Sequence, residues 1–297
     1  MDLNGKTAVV TGATSGIGRV TTIALAQKGM RLVLPVRNMD KGKAFKEELA
    51  ELTGNKEVEV MHCNLASFDS IRQFAASFSK KYDRLHLLVN NAGTWETKRK
   101  LSENGIEMNF AVNHLAPFLL TNLLLDTIVA SAPARIVNVS STAHKQAAVN
   151  FNDLEGEKRW SSMRSYAQGK LANIFFTRKL ARDLEDKGVT VNCLHPGVVE
   201  TRLFDKMPRL FRWLFGLFMI SPEKGAQTSI YLATSPEVED VTGEYFAKKK
   251  IAKTTGHARD MEVAEKLWEI SREYVGLKDK PAEDYRLESV GQEAIGK

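Results

Sequence analysis

Short β-branched runs alternate with longer amphipathic stretches along most of the chain. Thr7–Thr11 reads as a strand, Gly16–Lys28 as a helix ending at Gly29, Arg31–Val36 as a second strand and Asp40–Leu52 as a second helix. The alternation continues through Val58–Cys63, Ser67–Tyr82, Leu85–Asn90, the long apolar segment Ile106–Val129 and Arg135–Ser140. After a polar stretch come a helix at about Met163–Lys187 and a strand at Thr190–His195. Strands that are apolar almost without a break are buried on both faces, which predicts a parallel sheet covered by helices on each side. Right-handed crossovers wind such a sheet in two directions, giving one α/β domain over residues 1–277. Pro35 lacks a ladder donor and is expected near a strand end. Residues 278–297 are polar and charged with few apolar anchors, and read as a loosely held tail.

Composition excludes more than it selects. Of 297 residues, 43% are hydrophobic and 26% charged, ordinary for a globular protein. The net charge of +6 suits an anionic cofactor, nucleic acid or an anionic membrane. The cations are scattered, however, and the runs Lys98-Arg99-Lys100 and Lys248-Lys249-Lys250 carry no interleaved aromatics, so no nucleic-acid partner is expected. Cys63 and Cys193 each lie in an apolar run. They read as buried thiols of a reducing, cytoplasmic compartment, and no ligand cluster calls for a metal. Met1–Lys6 leads directly into a strand with no apolar leader, and no stretch approaches the ~18 consecutive apolar residues of a spanning helix.

The first strand and helix are joined by Thr11-Gly12-Ala13-Thr14-Ser15-Gly16-Ile17-Gly18. Glycines there let backbone N–H groups and a helix N-terminus face a pyrophosphate, an approach that larger side chains would block. The spacing is G-x-x-x-G-x-G, so the turn is evidence for a dinucleotide only in its βα context. The second strand ends at Val36-Arg37-Asn38. A carboxylate there would hold a ribose 2′-OH, whereas an arginine accommodates a 2′-phosphate. Arg37, with Arg19 behind the last glycine, therefore selects NADP(H) as the cofactor.

With Asn90-Asn91-Ala92-Gly93, Ser140-Ser141, Tyr166-x-x-x-Lys170 and Pro196-Gly197 following in order, residues 5–250 resemble the short-chain dehydrogenase/reductase family. Val112-Asn113-His114-Leu115, Ser165-Tyr166 through Asn173 and Gly225-Ala226-Gln227-Thr228 resemble its retinol dehydrogenase-like branch, whose members often carry an N-terminal membrane anchor not found here. The resemblance implies a single Rossmann-type fold and an oxidoreductase. It assigns Tyr166 as general acid/base, Lys170 as its helper, Ser141 rather than Ser140 as the serine orienting the carbonyl, and Asn113 as a member of the proton relay. Gly12, Thr14, Ser15, Gly16, Ile17, Gly18, Arg37, Asn64, Leu65, Asn91, Ala92, Gly93, Tyr166, Lys170, Pro196, Gly197, Val199 and Thr201 would hold the cofactor. Val198 and Thr201 would lie at its nicotinamide end, and Asn91 would also brace the sheet. Asn64 departs from the family's aspartate at the adenine.

The residue types suit the chemistry. Hydride passes between nicotinamide and the substrate carbon, leaving the protein to handle a proton. A phenol with a reference pKa of ~10 is a weak acid, and Lys170, one helical turn on, is expected to draw Tyr166 toward working pH. A Ser141 hydroxyl can donate to a developing oxyanion. His114 reads as structural, while His144 belongs either to the substrate cleft or to the fold.

The resemblance places a substrate lid at about 201–221, where Leu203 to Ile220 is rich in aromatic and aliphatic side chains. Three readings stay open for it: a lid over a lipophilic carbonyl or alcohol such as a retinoid, steroid or long-chain aldehyde, peripheral contact with a membrane, or the interface of a homo-oligomer. The alternative function is an NADPH-binding regulator without turnover, against which the intact Ser141, Tyr166 and Lys170 argue.

Overall fold

The computed structural model describes residues 3–199 and 219–277. The strands are β1 (Thr7–Val10), β2 (Arg31–Val36), β3 (Val58–His62), β4 (Leu87–Asn90), β5 (Ala134–Val139), β6 (Val189–His195), β7 (Tyr245–Ala247) and β8 (Lys250–Ile251). They form one sheet in the order β3-β2-β1-β4-β5-β6-β7-β8, parallel except for the β7–β8 pair at one edge. Between them run α1 (Gly16–Gln27), α2 (Met39–Thr53), α3 (Phe68–Lys81), α4 (Met108–Val129), α5 (Ser162–Asp183), α6 (Pro222–Thr234) and α7 (Met261–Val275). The predicted doubly wound α/β fold is the fold observed.

Burial on both faces accounts for the unbroken apolar strands. Val9, Val33, Leu88, Ile136 and Val191 pack under α3, α4, α5 and α7. Their chain neighbours Ala8, Leu32, Leu87 and Val137 face α1, α2 and α6. The chain travels β1 to β2 to β3 in one direction and restarts at β4 on the other side of β1. This switch leaves a crevice beyond the carboxyl ends of β1 and β4, where ligands bind in such sheets. Pro35 sits inside β2, paired with Met61 of β3. The Arg31 N–H points to β1 and the Leu32 N–H to β3, so position 35 faces the β1 side, beyond the last β1 pair at Val9–Val33. The missing donor costs no ladder bond there.

Helix α4 is long and apolar enough to cross a bilayer, yet its apolar stretch is mostly buried inside the fold, where Phe118, Leu119, Leu120 and Leu124 are core residues. It is a core helix. Ala111–Leu115 within it form a π-turn, in which the Ala116 N–H donates to the Ala111 carbonyl. Both cysteine thiols are buried, and burial alone raises Cys63 to about 12.

The polar side chains in the core tie the helices to the sheet. Asn90 and Asn138 are register partners on β4 and β5. Asn90 Nδ2 donates to Asn138 Oδ1 at 2.9 Å and to Thr121 Oγ1 of α4 at 3.0 Å. Asn138 Nδ2 donates to Thr177 Oγ1 of α5 at 3.0 Å. One ladder thus fixes both helices that carry candidate catalytic residues.

Candidate active site

A cavity of about 660 Å³ lies over the carboxyl ends of the central strands. Its floor at one end is the glycine turn. Gly12 and Gly16 have φ of 67° and 51°, the region in which glycine alone is unstrained. A Cβ on Gly18 would lie 2.2 Å from the Gly12 carbonyl oxygen and 2.4 Å from Asn91 Nδ2. Ser15 precedes α1 without a side-chain capping bond, and the first turn of α1 holds no acidic residue. The N–H groups of that turn are thus left for an anion. This cradle fits the pyrophosphate of a dinucleotide. Asn91 Nδ2 donates to the Thr11 carbonyl at 2.9 Å and to the Gly12 carbonyl at 3.4 Å, and the Asn91 and Ala92 N–H groups both donate to Thr11 Oγ1 at 3.0 Å. The ends of β1 and β4 are tied together by this residue pair.

At the other end, α5 presents Tyr166 and Lys170 one turn apart, both buried, at 8% and 4% exposure. Lys170 Nζ lies 5.7 Å from the Tyr166 ring centroid and donates to the Val139 carbonyl at 3.0 Å. The adjacent serines differ in what they can do. Ser140 Oγ donates to the Lys170 carbonyl at 2.6 Å and is spent on the fold. Ser141 Oγ accepts from the Ala143 N–H at 3.2 Å and stays beside the Tyr166 phenol, on the cavity wall. Burial pushes the Tyr166 phenol up to about 12, opposed by the Ser141 hydroxyl beside it. Burial also pulls Lys170 down to about 8. Burial outweighs the depression of the phenol expected from Lys170, because both groups are desolvated together.

Asn113 stands in the π-turn, a local form frequent at functional sites. Its side chain is consumed by Thr94: Oδ1 accepts the Thr94 N–H and Nδ2 donates to the Thr94 carbonyl, each at 2.8 Å. The residue four further on is Pro117, which has no N–H, so the Asn113 carbonyl lacks its ordinary helical donor. A Cβ on Gly93 would lie 2.9 Å from Asn113 Oδ1 and 3.3 Å from Lys170 Nζ, which places these three residues against one another.

Of the predicted site residues, Gly12, Ser15, Gly16, Ile17, Gly18, Asn91, Ala92, Gly93, Ser141, Tyr166, Lys170, Pro196, Gly197 and Val199 line this cavity, as does Val198. Thr14, Arg37, Asn64, Leu65 and Asn113 do not. Arg37 is exposed at the end of β2. Arg19, the second predicted phosphate cation, is held by Glu48 of α2 and lies over the Phe45 ring. Asn64 Nδ2 donates to Glu103 Oε1 at 2.6 Å. Thr201 and nearly all of the proposed lid lie outside the described residues, as does the tail. His144 belongs to the fold: it is fully buried, with Nδ1 2.6 Å from the Ser141 carbonyl. His114 is buried as expected, 2.8 Å from Ser271 Oγ.

Trp95, which belongs to none of the sequence motifs, lines the cavity and stacks on Tyr166 with centroids 5.2 Å apart and 24° between planes. Its position two residues beyond Gly93 was the available signal. His195 was also missed. It faces the cavity, accepts the Thr142 N–H on Nδ1 at 3.2 Å and is held neutral by burial, at about 4.

The short chain dehydrogenase family model matches residues 6–209. Retinol dehydrogenase 14 of Homo sapiens is 44% identical over 294 residues, covering 93% of this chain and 88% of its own. Retinol dehydrogenase 11 of Mus musculus is 42% identical over 280 residues, with the same coverages. Among solved structures, an uncharacterized protein from Mycobacterium Paratuberculosis superposes with a TM-score of 0.75 at 29% identity, covering 93% of this chain and 96% of its own. A protein from Beutenbergia cavernae, described as an NAD(P) dependent gluconate 5-dehydrogenase with bound NADP, gives 0.68 at 27% identity, covering 83% and 96%. The chain therefore belongs to the short-chain dehydrogenase/reductase family of nicotinamide-dependent oxidoreductases, and within it is retinol dehydrogenase-like.

Proposed function

We propose that the protein is an NADP(H)-dependent oxidoreductase acting on a lipophilic carbonyl or alcohol, with Tyr166 as proton donor or acceptor. The observation that carries this reading is the single cavity with a glycine cradle at one end and Ser141, Tyr166 and Lys170 at the other. The bound nicotinamide would supply or accept the hydride. Ser141 Oγ would donate to the substrate oxygen, Tyr166 would exchange the proton, and Lys170 Nζ, held by the Val139 carbonyl, would keep a positive charge beside the phenol. Asn113 supports the arrangement through Thr94 and its backbone carbonyl.

The cofactor choice rests on Arg37. No carboxylate stands at the end of β2, and among the described residues Arg37 has no ion-pair partner, whereas Glu48 neutralises Arg19. The substrate class rests on Trp95, Met163, Val139 and Ala143 in the cavity wall and on the names of the relatives, so a retinoid-, steroid- or long-chain aldehyde-like molecule is the substrate to assay first.

The test is turnover with NADPH and NADH against a panel of long-chain aldehydes, retinal and steroids, in the parent, Tyr166→Phe and Arg37→Asp proteins. NADPH should be preferred, Tyr166→Phe should lose about 10²–10⁴ in rate, and Arg37→Asp should reverse the cofactor preference. Undiminished turnover in Tyr166→Phe would end the proposed mechanism. An NADH preference in the parent would end the cofactor assignment.

A further inference from the structure

The segment Thr94–Glu96 is fastened on both sides of Trp95. Thr94 exchanges two backbone hydrogen bonds with the Asn113 side chain, and the Glu96 N–H donates to Asn109 Oδ1 at 2.9 Å. Both asparagines are buried residues of α4. The indole is fastened as well: Trp95 Nε1 donates to Ser162 Oγ at 2.7 Å, and that hydroxyl donates to the Glu96 carbonyl at 2.5 Å. Ser162 precedes Tyr166 by four on α5, so anchor and phenol share one helical face.

A second set of bonds holds the same helix start. The buried Glu107 carboxylate accepts from Ser165 Oγ at 2.6 Å, Trp160 Nε1 at 3.1 Å, Asn109 Nδ2 at 2.9 Å and the Phe110 N–H at 2.9 Å. Asn109 thus connects the Glu96 backbone to the carboxylate that holds Ser165, the residue before Tyr166. A large aromatic ring tied at its backbone and at its only polar atom loses most of its freedom, and what it touches loses freedom too.

We propose that Trp95 is a positioning residue for Tyr166, stapled to α4 and α5 so that its indole fixes the phenol ring and keeps water from it. This rests on the reading of Tyr166 as the proton-transfer residue, and it adds a role for an indole that the catalytic set alone does not require. Stacked rings at this separation attract beyond their burial, and an indole lying on the phenol covers one of its faces. Misplacing a reacting group by ~1 Å costs on the order of 10² in rate.

The test compares Trp95→Leu, Trp95→Phe and Ser162→Ala in the full chain. Trp95→Leu keeps apolar bulk without the stack, Trp95→Phe keeps the stack without the N–H, and Ser162→Ala frees the indole edge. Each is measured for kcat and KM, and for ionisation of Tyr166 by carbon NMR of tyrosine labelled at the oxygen-bearing ring carbon, with Tyr166→Phe assigning the signal. In Trp95→Leu, kcat should fall by about 10- to 100-fold, by more than KM rises. The Tyr166 ionisation should move down by about one pH unit as water reaches the ring. Trp95→Phe should recover most of both, and Ser162→Ala should lie between. A Tyr166 titration in Trp95→Leu that superimposes on the parent's would overturn the proposal, as would Trp95→Phe falling as far as Trp95→Leu. Should Tyr166→Phe keep full turnover, the proposed chemistry fails, while the NMR titration still decides whether the indole shields the ring.

Discussion

Replacing Gly18 by alanine separates two opposed effects in the glycine turn. Gly18 is a helical residue of α1 without positive φ, so helix propensity alone favours alanine by ~0.8–1.0 kcal/mol. Against this, the new Cβ would lie 2.2 Å from the Gly12 carbonyl oxygen, short of an ordinary 3.4 Å contact by about 1.2 Å. It would also press on Asn91 Nδ2, which holds the Thr11 and Gly12 carbonyls. Neither atom is the free end of a flexible chain. Overpacking of this kind costs ~1–3 kcal/mol, and disturbing the Asn91 bonds adds ~1 kcal/mol. The clash wins, for a net loss of about 1–3 kcal/mol, which lowers Tm by ~2–4 °C per kcal/mol in a large domain. Cofactor binding should suffer more, because a shift of ~1 Å in the cradle misplaces the N–H groups facing the phosphates. A 10- to 100-fold rise in Kd for NADPH is expected, or ~1.4–2.8 kcal/mol. Isothermal titration with NADPH and a thermal melt measure the two losses. Gly256→Ala is the control, since its Cβ would meet nothing within 4 Å. A Gly18→Ala protein that binds NADPH within twofold of the parent would refute the steric account of the turn.

Two further substitutions test the interior. Lys170 has its pKa lowered from 10.5 to about 8 by burial, so below pH 8 the fold carries a buried ammonium that the unfolded chain would solvate. Lys170→Met should therefore raise Tm at pH 7, by an amount corresponding to at most ~3–4 kcal/mol, less ~1 kcal/mol for the Val139 carbonyl that loses its donor, while abolishing turnover. Because the parent's own stability rises with pH between 8 and 10.5, that advantage should shrink over the same window; a gap independent of pH would contradict it. Asn138→Leu removes the centre of the Asn90–Asn138–Thr177 ladder and leaves buried partners unsatisfied. It should destabilise the protein by ~1–3 kcal/mol, read by urea denaturation, and lower kcat through looser α4 and α5.

What the sequence discloses follows from how local each cause is. The interior strands are legible because burial on both faces leaves a largely apolar run, and Arg31–Val36 has the same bounds in prediction and structure, whereas the edge strand β3 is only partly buried. The helix read to Lys187 ends at Asp183, a boundary set by weak terminal bonds. The hold on Asn113 is not legible, for its side chain is taken up by Thr94, nineteen residues away. Arg19 looks like a free cation in sequence and is captured by Glu48 from the next helix. The resemblance picks Ser141 over Ser140, but the physical reason appears only in the fold, where the Lys170 carbonyl takes the Ser140 hydroxyl. Trp95 is one aromatic among many until the fold lays it on Tyr166.

The two shifted pKa values also constrain how rate should follow pH. With the phenol at about 12 and the ammonium at about 8, the predominant form at pH 7 has both groups protonated. That form suits proton donation to a carbonyl. Alcohol oxidation instead needs the phenolate with Lys170 still charged, and the phenolate is about one part in 10⁵ at pH 7. Its population grows tenfold per pH unit until Lys170 begins to lose its own proton, then levels, because phenolate with ammonium and phenol with neutral amine bind the same number of protons. Carbonyl reduction should therefore be flat up to about pH 8 and fall above it, while alcohol oxidation should rise up to about pH 8 and plateau. The two profiles share one inflection, which belongs to the pair and not to either side chain. Measuring kcat in both directions between pH 6 and 10 checks this, with cofactor saturation confirmed at each pH. Two unrelated inflections, or an oxidation rate flat from pH 6, would mean that burial does not set the charge state of Tyr166 and Lys170 in the working site.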